Sequence, residues 1–535
     1  MTVSLPFATL VLYLVLIQPN HPGALTWEAL LAFPLELPAI VFGLIAGGDG
    51  RIGRILRVVL TVVLTLIVVL KGADIVSFNA LSRGFNPVAD MALVDAFIRL
   101  LTGSVGPVLA VLAVVGAGIV TVVVAALLWW AMAQWARFGR PGTWSRFLVL
   151  PAVLSAGVVV AEVGATMGRW SLPIAPPGTA FTARVAVERF DMARRTLAEL
   201  QAFRIAVQQD PFRGSRDLLD RIDRDVLVIF VESYGRTSID TPFYASVHRD
   251  TLDASETRLG ALGLSTRSGY LAAPTRGGQS WLSHATVANG LWVDNQVGYG
   301  AALSSGRETL YHHAANNGFR TAAVMPQITL EWPESARMGF ETVLASKDLG
   351  YAGLPFNWVT MPDQFTLAAL DRLVRSDTDP RSVFAQVALA TSHAPWVPVP
   401  DIIPWDEVGD GQVYNAVAVS GDPPDVVWRD RERVRVQYRL AIDYALRAVF
   451  EYAALHAGEP PLMIVIGDHQ AAEFVALDRR PDVPVHVIGP THLVDALSDI
   501  APTPGLVPAD DSAVLPMDRL RDIVLTVFST RFRSG

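Results

Sequence analysis

The chain has 535 residues, of which 51% are hydrophobic and 18% are charged, and its formal net charge at pH 7 is −8. The length predicts two or more domains, the apolar excess indicates a partly membrane-embedded chain, and the negative charge excludes the basic surface that nucleic-acid binding needs. The chain contains no cysteine, which excludes disulfides, thiolate metal sites and cysteine nucleophiles.

Apolar runs in the first third of the chain predict a five-helix transmembrane domain over residues 1–168. Each run is judged against the roughly 20 residues that a bilayer core needs. The runs are Val3–Ile17, Leu25–Gly47, Ile55–Leu70, Val105–Trp130 and Phe147–Gly168. A cleaved signal peptide is the alternative for the first run, which nevertheless lacks a basic start and a small-residue cleavage site.

Arginines between the runs predict the orientation of this domain. Three follow the second run and three follow the fourth: Arg51, Arg54, Arg57, Arg137, Arg140 and Arg146. Short loops rich in arginine stay on the cytoplasmic side of a membrane. With five crossings and a cytoplasmic N-terminus, everything after Gly168 is expected outside the cytoplasm.

Acidic residues in or near the apolar runs are costly to bury in lipid and often functional. Glu28 and Glu36 are expected near a membrane interface, beside Trp27 and Pro34. Glu162 lies more centrally in its run, and a role in the access of a lipid substrate is an open hypothesis for it.

Residues 169–224 are predicted to form a juxtamembrane linker that contains an amphipathic helix. Phe190, Leu197, Leu200 and Phe203 recur at helical spacing, with arginine and glutamate opposite them. Such a helix either packs on the following domain or lies along the membrane surface. Packing is the preferred alternative.

Residues 225–535 alternate short β-branched runs with helical stretches, such as 307–317, 363–375 and 431–457. The predicted strands are Val226–Val231, Thr321–Met325, Val383–Thr391, Leu462–Ile466 and Val483–Gly489. Strands that are apolar throughout indicate a sheet buried on both faces. We therefore expect an α/β sandwich with a mostly parallel central sheet.

Polar residues follow three of these strands, at the sheet edge where α/β proteins gather their active sites. Glu232 follows the first strand, His393 lies in "TSHAPW", and Asp468 and His469 lie in "GDHQ". The stretch "GGQSWLSH" adds Ser280 at the start of a predicted helix.

This set of residue types predicts one divalent cation and a serine nucleophile. Carboxylates and imidazole suit Mn²⁺ or Zn²⁺, with Mg²⁺ as an alternative. Ser280 on such an ion would lose its proton more easily and attack a phosphorus or sulfur centre. His393 and Arg276 are candidates for steadying a leaving group or the non-bridging oxygens.

Together these motifs resemble the alkaline phosphatase superfamily, and in particular its membrane-anchored, sulfatase-like branch of lipoteichoic acid synthases and phosphoethanolamine transferases. The resemblance implies that Glu232 in "FVESYG", Ser280 in "GGQSWLS", and Asp468 and His469 in "GDH" bind the metal. It implies that His393 faces the substrate. The anchor before the motifs matches the layout of this branch, which implies a multi-pass protein of a bacterial-type inner membrane with a periplasmic catalytic domain.

Departures from the family pattern narrow the range of expected substrates. "SWLSH" lacks the proline and arginine of the sulfatase nucleophile motif, which counts against sulfate-ester hydrolysis. Trp332 matches the substrate-loop tryptophan of glycerol-phosphate polymerases, but Glu334 stands at the arginine position and Arg337 only nearby. The branch's phosphoethanolamine transferases usually bear disulfides, which this chain lacks. The head group stays open between phosphoethanolamine and phosphoglycerol.

The expected function is a metal-dependent phosphotransferase that moves a phospho-head-group from a membrane phospholipid, through a covalent Ser280 intermediate, to a glycan or lipid acceptor. A phosphodiesterase or phosphatase that uses water as acceptor is the first alternative. A non-catalytic membrane sensor or scaffold is the second. The oligomeric state is open.

Structural roles compete with these assignments. Ser280 suits a helix N-cap, and His393 suits a buried structural histidine. His284 is either a helix-packing residue or a substrate contact, and His486 is either a core histidine or a group supporting the metal ligands.

Overall fold

The computed structural model describes residues 4–24, 26–81, 84–94, 97–98, 102, 106–138, 147–174, 176–329, 332–358, 360–376 and 379–532. The chain divides into two compact units, Met1–Gln201 and Ala202–Gly535. Five residues used in the predictions above lie outside the described ranges, namely Val3, Leu25, Val105, Arg140 and Arg146.

The first unit is helical. Its helices are α1 (Ser4–Ile17), α2 (Trp27–Leu31), α3 (Glu36–Gly47), α4 (Arg51–Leu81), α5 (Pro107–Phe138), α6 (Val149–Thr166) and the start of α7 (Phe181–Gln208). Among the described residues, three helices are long and apolar enough to cross a membrane: Arg51–Phe78 of α4, α5 and α6. Within the described residues, α1 has 14 residues and α3 has 12, fewer than the roughly 20 that cross a bilayer core. The predicted count of five spans is therefore not confirmed and stays a prediction.

Two details of the predicted anchor are wrong. The run Leu25–Gly47 is not one helix, because the backbone around Pro34 is extended and forms a β-bridge with Thr179. The arginines from Arg51 to Arg57 do not lie in a loop, since they form the first turns of α4. Arg57 donates there to Asp49 at 2.9 Å.

Two of the acidic residues flagged in the apolar runs cap a helix. The Glu36 carboxylate accepts a hydrogen bond from the backbone of Ala183 at 2.9 Å, and Glu162 accepts one from Ala180 at 3.2 Å. These amides lie at the start of α7, where backbone N–H groups have no partner within the helix and anionic groups are stabilising. Both glutamates therefore hold the start of α7 against α3 and α6.

The second unit contains one mixed sheet. Its strands are β1 (Val226–Val231), β2 (Ser265–Ala272), β3 (Arg320–Met325), β4 (Thr342–Ala345), β5 (Val383–Ala388), β6 (Leu462–Gly467), β7 (Asp482–Gly489), β8 (Thr503–Pro504) and β9 (Val514–Pro516). The order is β4-β3-β5-β1-β6-β7-β2-β8, with β9 beside β2. Strands β4, β3, β5, β1 and β6 are parallel, whereas β7, β2 and β8 join by antiparallel pairs. The sheet is thus mixed, and the predicted Val383–Thr391 strand ends at Ala388.

Helices cover both faces of this sheet. They are α8 (Thr237–Asp240), α9 (Pro242–Ala261), α10 (Ser280–Asn289), α11 (Gln296–Ser304), α12 (Leu310–Asn316), α13 (Asp363–Leu370), α14 (Asn415–Ala418), α15 (Pro424–Val427), α16 (Arg431–Leu455), α17 (Glu473–Ala476), α18 (Thr491–Ala496) and α19 (Arg519–Val527). Alternate residues of β1 belong to different apolar clusters, Leu227 and Ile229 to one, and Val228 and Phe230 to the other. A strand buried on both faces explains its unbroken apolar sequence.

Candidate active site

Glu232, Asp468 and His469 form a buried cluster at the carboxyl ends of β1 and β6. These strands are parallel neighbours, and Val231 lies opposite Gly467, so the residues that follow them are adjacent. One ligand atom from each of the three side chains lies within 4.8 Å of the others. The His469 Nε2 atom is 3.1 Å from Glu232 Oε1 and 3.8 Å from Asp468 Oδ1.

Backbone contacts fix the loops that carry this cluster. The Asp468 Oδ1 atom accepts hydrogen bonds from the amides of Ser233 at 2.8 Å and His469 at 2.6 Å. Two glycines make room for the close approach of the loops. A Cβ at Gly467 would lie 1.8 Å from the Tyr234 carbonyl oxygen, and a Cβ at Gly235 would lie 1.4 Å from the side-chain oxygen of Gln470.

Ser280 points its hydroxyl at the cluster. Its Oγ donates to Glu232 Oε2 at 2.9 Å and lies 3.3 Å from His469 Nε2. The three preceding residues, Gly277, Gly278 and Gln279, have φ angles of +70°, +140° and +68°, a turn that two glycines make accessible. Gln279 is the N-cap of α10 and Ser280 is its first helical residue, so Ser280 does not serve as the N-cap.

Burial makes charge in this cluster costly, and its members compensate one another. Burial opposes ionisation of Glu232, but the hydrogen bond and charge of His469, with a smaller effect of His393, hold its pKa well below the usual range. Burial and the Glu232 charge raise the pKa of Asp468. Burial lowers the pKa of His469, but the carboxylates of Asp468 and Glu232 outweigh that effect and raise it.

The cluster fits one divalent cation. Two carboxylates, one imidazole and one hydroxyl are donors that Mn²⁺ and Zn²⁺ accept. Buried carboxylates need a compensating positive charge. Among the described residues, His469 is the one basic side chain within 4 Å of these two carboxylates. A cation would replace protons on these groups, as metal binding by carboxylate and histidine ligands generally does.

His393 follows β5, on the other side of β1 from β6. It is half-buried, its Nδ1 lies 2.6 Å from the Ala394 carbonyl, and its charge acts on Glu232. Asp363, at the start of α13, binds the backbone of the loop that precedes His393. The Asp363 Oδ1 atom accepts from the amides of Ala390 at 2.7 Å and Thr391 at 2.9 Å.

The other predicted site residues lie further out. Arg276 is exposed and donates to the backbone carbonyl of Arg479. Trp332 is half-buried, with its ring 6.3 Å from that of Phe340. Among the hydrogen bonds of the described residues, none joins Arg276 or Trp332 to the cluster, so their substrate roles stay predictions.

The two other histidines considered from the sequence, His284 and His486, are buried. His284 lies one helical turn after Ser280, with its ring 4.1 Å from Phe230, and burial lowers its pKa to about 4 against the opposing charge of Glu232. The contact with Phe230 fits the packing role predicted for His284. The predicted contact of His284 with substrate stays a prediction. His486 lies in β7 with Nε2 3.1 Å from the Tyr234 hydroxyl, and burial lowers its pKa to about 3. It is a core histidine.

Sequence reasoning missed Gln327 and Asp363. The Gln327 amide donates to Glu232 Oε2 at 3.3 Å and to the Leu389 carbonyl at 3.1 Å, which links the ends of β1 and β5. Gln327 follows β3 as Glu232 follows β1, so its position after a predicted strand was a usable signal. Asp363 gave none, because it lies at the start of a helix far along the chain from His393.

No protein-family model and no curated protein sequence matches the chain. Its structure is similar to the lipoteichoic acid synthase LtaP from Listeria monocytogenes, with a TM-score of 0.37 and 12% identity over 58% of this chain and 77% of that one. It is similar to an alkaline phosphatase superfamily protein from Vibrio parahaemolyticus, with a TM-score of 0.35 and 16% identity over 58% and 77% of the two chains. For the periplasmic domain of the phosphoethanolamine transferase EptC from Campylobacter jejuni, the TM-score is 0.36 and the identity 10% over 58% and 96%.

These matches fall in the groups that the sequence motifs resemble. These three TM-scores are below 0.5, so the roles proposed for residues in the next section depend on the geometry of the site itself.

Proposed function

We propose that the chain is a metal-dependent phosphotransferase that moves a phospho-head-group from a membrane phospholipid to a glycan or lipid acceptor. One observation carries the proposal. The Ser280 hydroxyl lies within hydrogen-bond distance of both Glu232 and His469, at a buried cluster whose donors fit a divalent cation. A serine used only for packing would have no need of these two partners.

Glu232, Asp468, His469 and Ser280 would hold the cation. When bound, a divalent cation supplies positive charge that lowers the pKa of a nearby hydroxyl and balances charge on phosphoryl oxygens. Glu232 orients Ser280 by accepting its hydrogen bond, and Gln327 fixes the same carboxylate oxygen. His393 is the candidate to protonate the departing alcohol.

The reaction proceeds in two displacements. In the first, Ser280 Oγ bonds to the head-group phosphorus, and the bond from phosphorus to the diacylglycerol oxygen breaks. The serine loses its hydroxyl proton and the departing oxygen gains one. In the second, an acceptor hydroxyl attacks the phosphoserine, the bond to Ser280 Oγ breaks, and Ser280 regains a proton while the acceptor loses one.

The membrane anchor supports a lipid donor. Three helices in the described part of the chain are long and apolar enough to cross a bilayer, so a phospholipid could reach the enzyme without leaving the membrane. We propose that the second unit lies outside the cytoplasm of a bacterial-type inner membrane, as the arginine distribution predicts. Phosphoethanolamine and phosphoglycerol head groups both fit this chemistry.

Mass spectrometry of the full-length protein in native membranes tests the mechanism. We expect a head-group phosphate adduct on the peptide that contains Ser280, no adduct on S280A, and an undiminished adduct on S283A. Ser283 is the matched control, because it is a buried serine on the same helix with no hydrogen-bond partner among the described residues. Absence of the adduct from metal-loaded wild type, or its persistence on S280A, contradicts the proposal.

Product analysis separates a transferase from the alternatives. With a glycan added, a transferase yields modified glycan and diacylglycerol, whereas a hydrolase yields free phospho-head-group regardless of the glycan. A sensor or scaffold yields neither product and carries no bound metal by elemental analysis.

A further inference from the structure

The first half of α7 has three distinct sides. One side is docked on the membrane anchor: Arg189 forms a 2.7 Å ion pair with Asp74 of α4, and Lys71 donates to Thr182 at 2.7 Å. The amides at the start of the helix bind carboxylates of α3 and α6, as described above. These contacts place the helix at one end of the spanning helices.

A second side of α7 exposes large apolar side chains. Phe190 is 68% exposed and Leu197 is 55% exposed. They are seven residues apart and therefore lie on the same side of a helix with 3.6 residues per turn. Arg194 lies between them on this side, and its long stem allows the guanidinium to reach past the apolar groups.

The third side of α7 is charged. Glu188, Arg195 and Glu199 recur at helical spacing and so share a side, roughly opposite Phe190 and Leu197. The exposed surface of the helix is therefore divided between an apolar side and a charged side. Helices that lie in the interface of a bilayer have this division between an apolar and a charged side.

Two other segments of the first unit carry similar exposed groups. Trp27 on α2 is 81% exposed, and Ile174 in the segment before α7 is 82% exposed. The β-bridge between Pro34 and Thr179 brings these two segments together. Tryptophan is enriched at membrane–water interfaces, and exposed apolar groups that lie together mark sites of interaction with protein or membrane.

We propose that Phe190, Leu197, Trp27 and Ile174 form an interfacial patch that inserts into the head-group region of the bilayer, so that α7 lies along the membrane surface. The occupant is a lipid surface, because the patch is continuous with helices that span the membrane and Arg194 complements lipid phosphate. For the first half of α7 this assignment favours the membrane-surface alternative. The end of the helix packs within the second unit, where Phe203 and Val207 join an apolar cluster. The assignment is independent of the proposed enzymatic function.

The absence of cysteine permits a direct test by spin labelling. The full-length variants L197C and F190C report on the apolar side of α7, and E199C is the matched control on the charged side. Each is labelled with a nitroxide and reconstituted in vesicles of phosphatidylcholine and phosphatidylglycerol. Oxygen concentrates in lipid and a nickel chelate stays in water, so the ratio of their collision rates with each label reports its depth.

We expect the oxygen-to-nickel ratio at positions 190 and 197 to exceed that at position 199 several-fold. Equal ratios at the three positions would overturn the proposal by placing the apolar side in water. Protection of positions 190 and 197 from both reagents would overturn it by placing protein, whether the second unit or another copy, against the patch. Two labelled positions guard against a folding defect in one variant.

Discussion

Asp363 allows the geometry of the site to be tested without altering any proposed metal ligand. Its buried Oδ1 accepts hydrogen bonds from the amides of Ala390 and Thr391, three and two residues before His393. The variant D363A leaves both amides buried without this acceptor. An unpaired buried donor costs about 1–3 kcal/mol, so we expect D363A to lose about 2–6 kcal/mol of unfolding free energy. D363N keeps an oxygen acceptor and serves as the control.

Activity distinguishes a positioning role from simple destabilisation. We expect D363A to lower kcat/KM on a phosphodiester substrate under conditions where it remains folded, because the loop that carries His393 loses its anchor. D363N should recover most of the activity, since it retains the two hydrogen bonds. The assay is turnover by the full-length protein, with chemical denaturation measured on the same samples. Wild-type stability and turnover in D363A would refute the reasoning.

The charge of Asp363 gives a further test through pH. Burial raises its pKa from 3.8 to about 6, so the folded protein binds this proton more tightly than the unfolded chain. The resulting stabilisation is complete below about pH 4 and is lost as pH rises through about 6, an effect of about 3 kcal/mol. Wild type should therefore gain stability relative to D363N as pH falls from about 7 to about 4. A pH-independent difference between them contradicts this.

Two further predictions concern the metal and the glycines. Chelation should abolish turnover, and Mn²⁺ or Zn²⁺ should restore it. The amount of metal bound after dialysis should decrease as the pH is lowered, because protons compete for Glu232, Asp468 and His469. Turnover that survives complete metal removal would refute this. G235A should destabilise the fold by about 1–3 kcal/mol because its Cβ would overlap Gln470. G260A in α9, with no atom within 4 Å of its Cβ, should instead stabilise by about 0.5–1 kcal/mol; equal shifts in thermal unfolding would contradict the pair.

The parts of the site that follow strands were predictable from sequence. Val226–Val231 and Leu462–Gly467 are apolar throughout because they lie inside the sheet, and the polar residue after each marks its end. The structure brings Glu232, Asp468 and His469 together because these two strands are parallel neighbours. The hydrophobic pattern locates the strands along the chain, but it does not give their order in the sheet. That β1 and β6 are neighbours is therefore known only from the structure.

Other features had no local signature. Strand β2, "STRSGYLA", has a largely polar sequence, which its position allows because its first residues are only half-buried. Its antiparallel hydrogen bonds with β7 hold it in the sheet despite this weak apolar character. The break at Pro34 depends on Thr179, more than a hundred residues away. The capping roles of Glu36 and Glu162 likewise require knowing where α7 begins.

The interlocking of Gly467 with the Tyr234 carbonyl, and of Gly235 with Gln470, has a consequence for how this architecture can be altered. The segment after β1 and the segment at the end of β6 each fill the volume that a side chain on the other would need. Neither glycine can be replaced without loss of stability unless the opposite segment is rebuilt at the same time. Any redesign of the cluster that these segments carry must therefore change the two together.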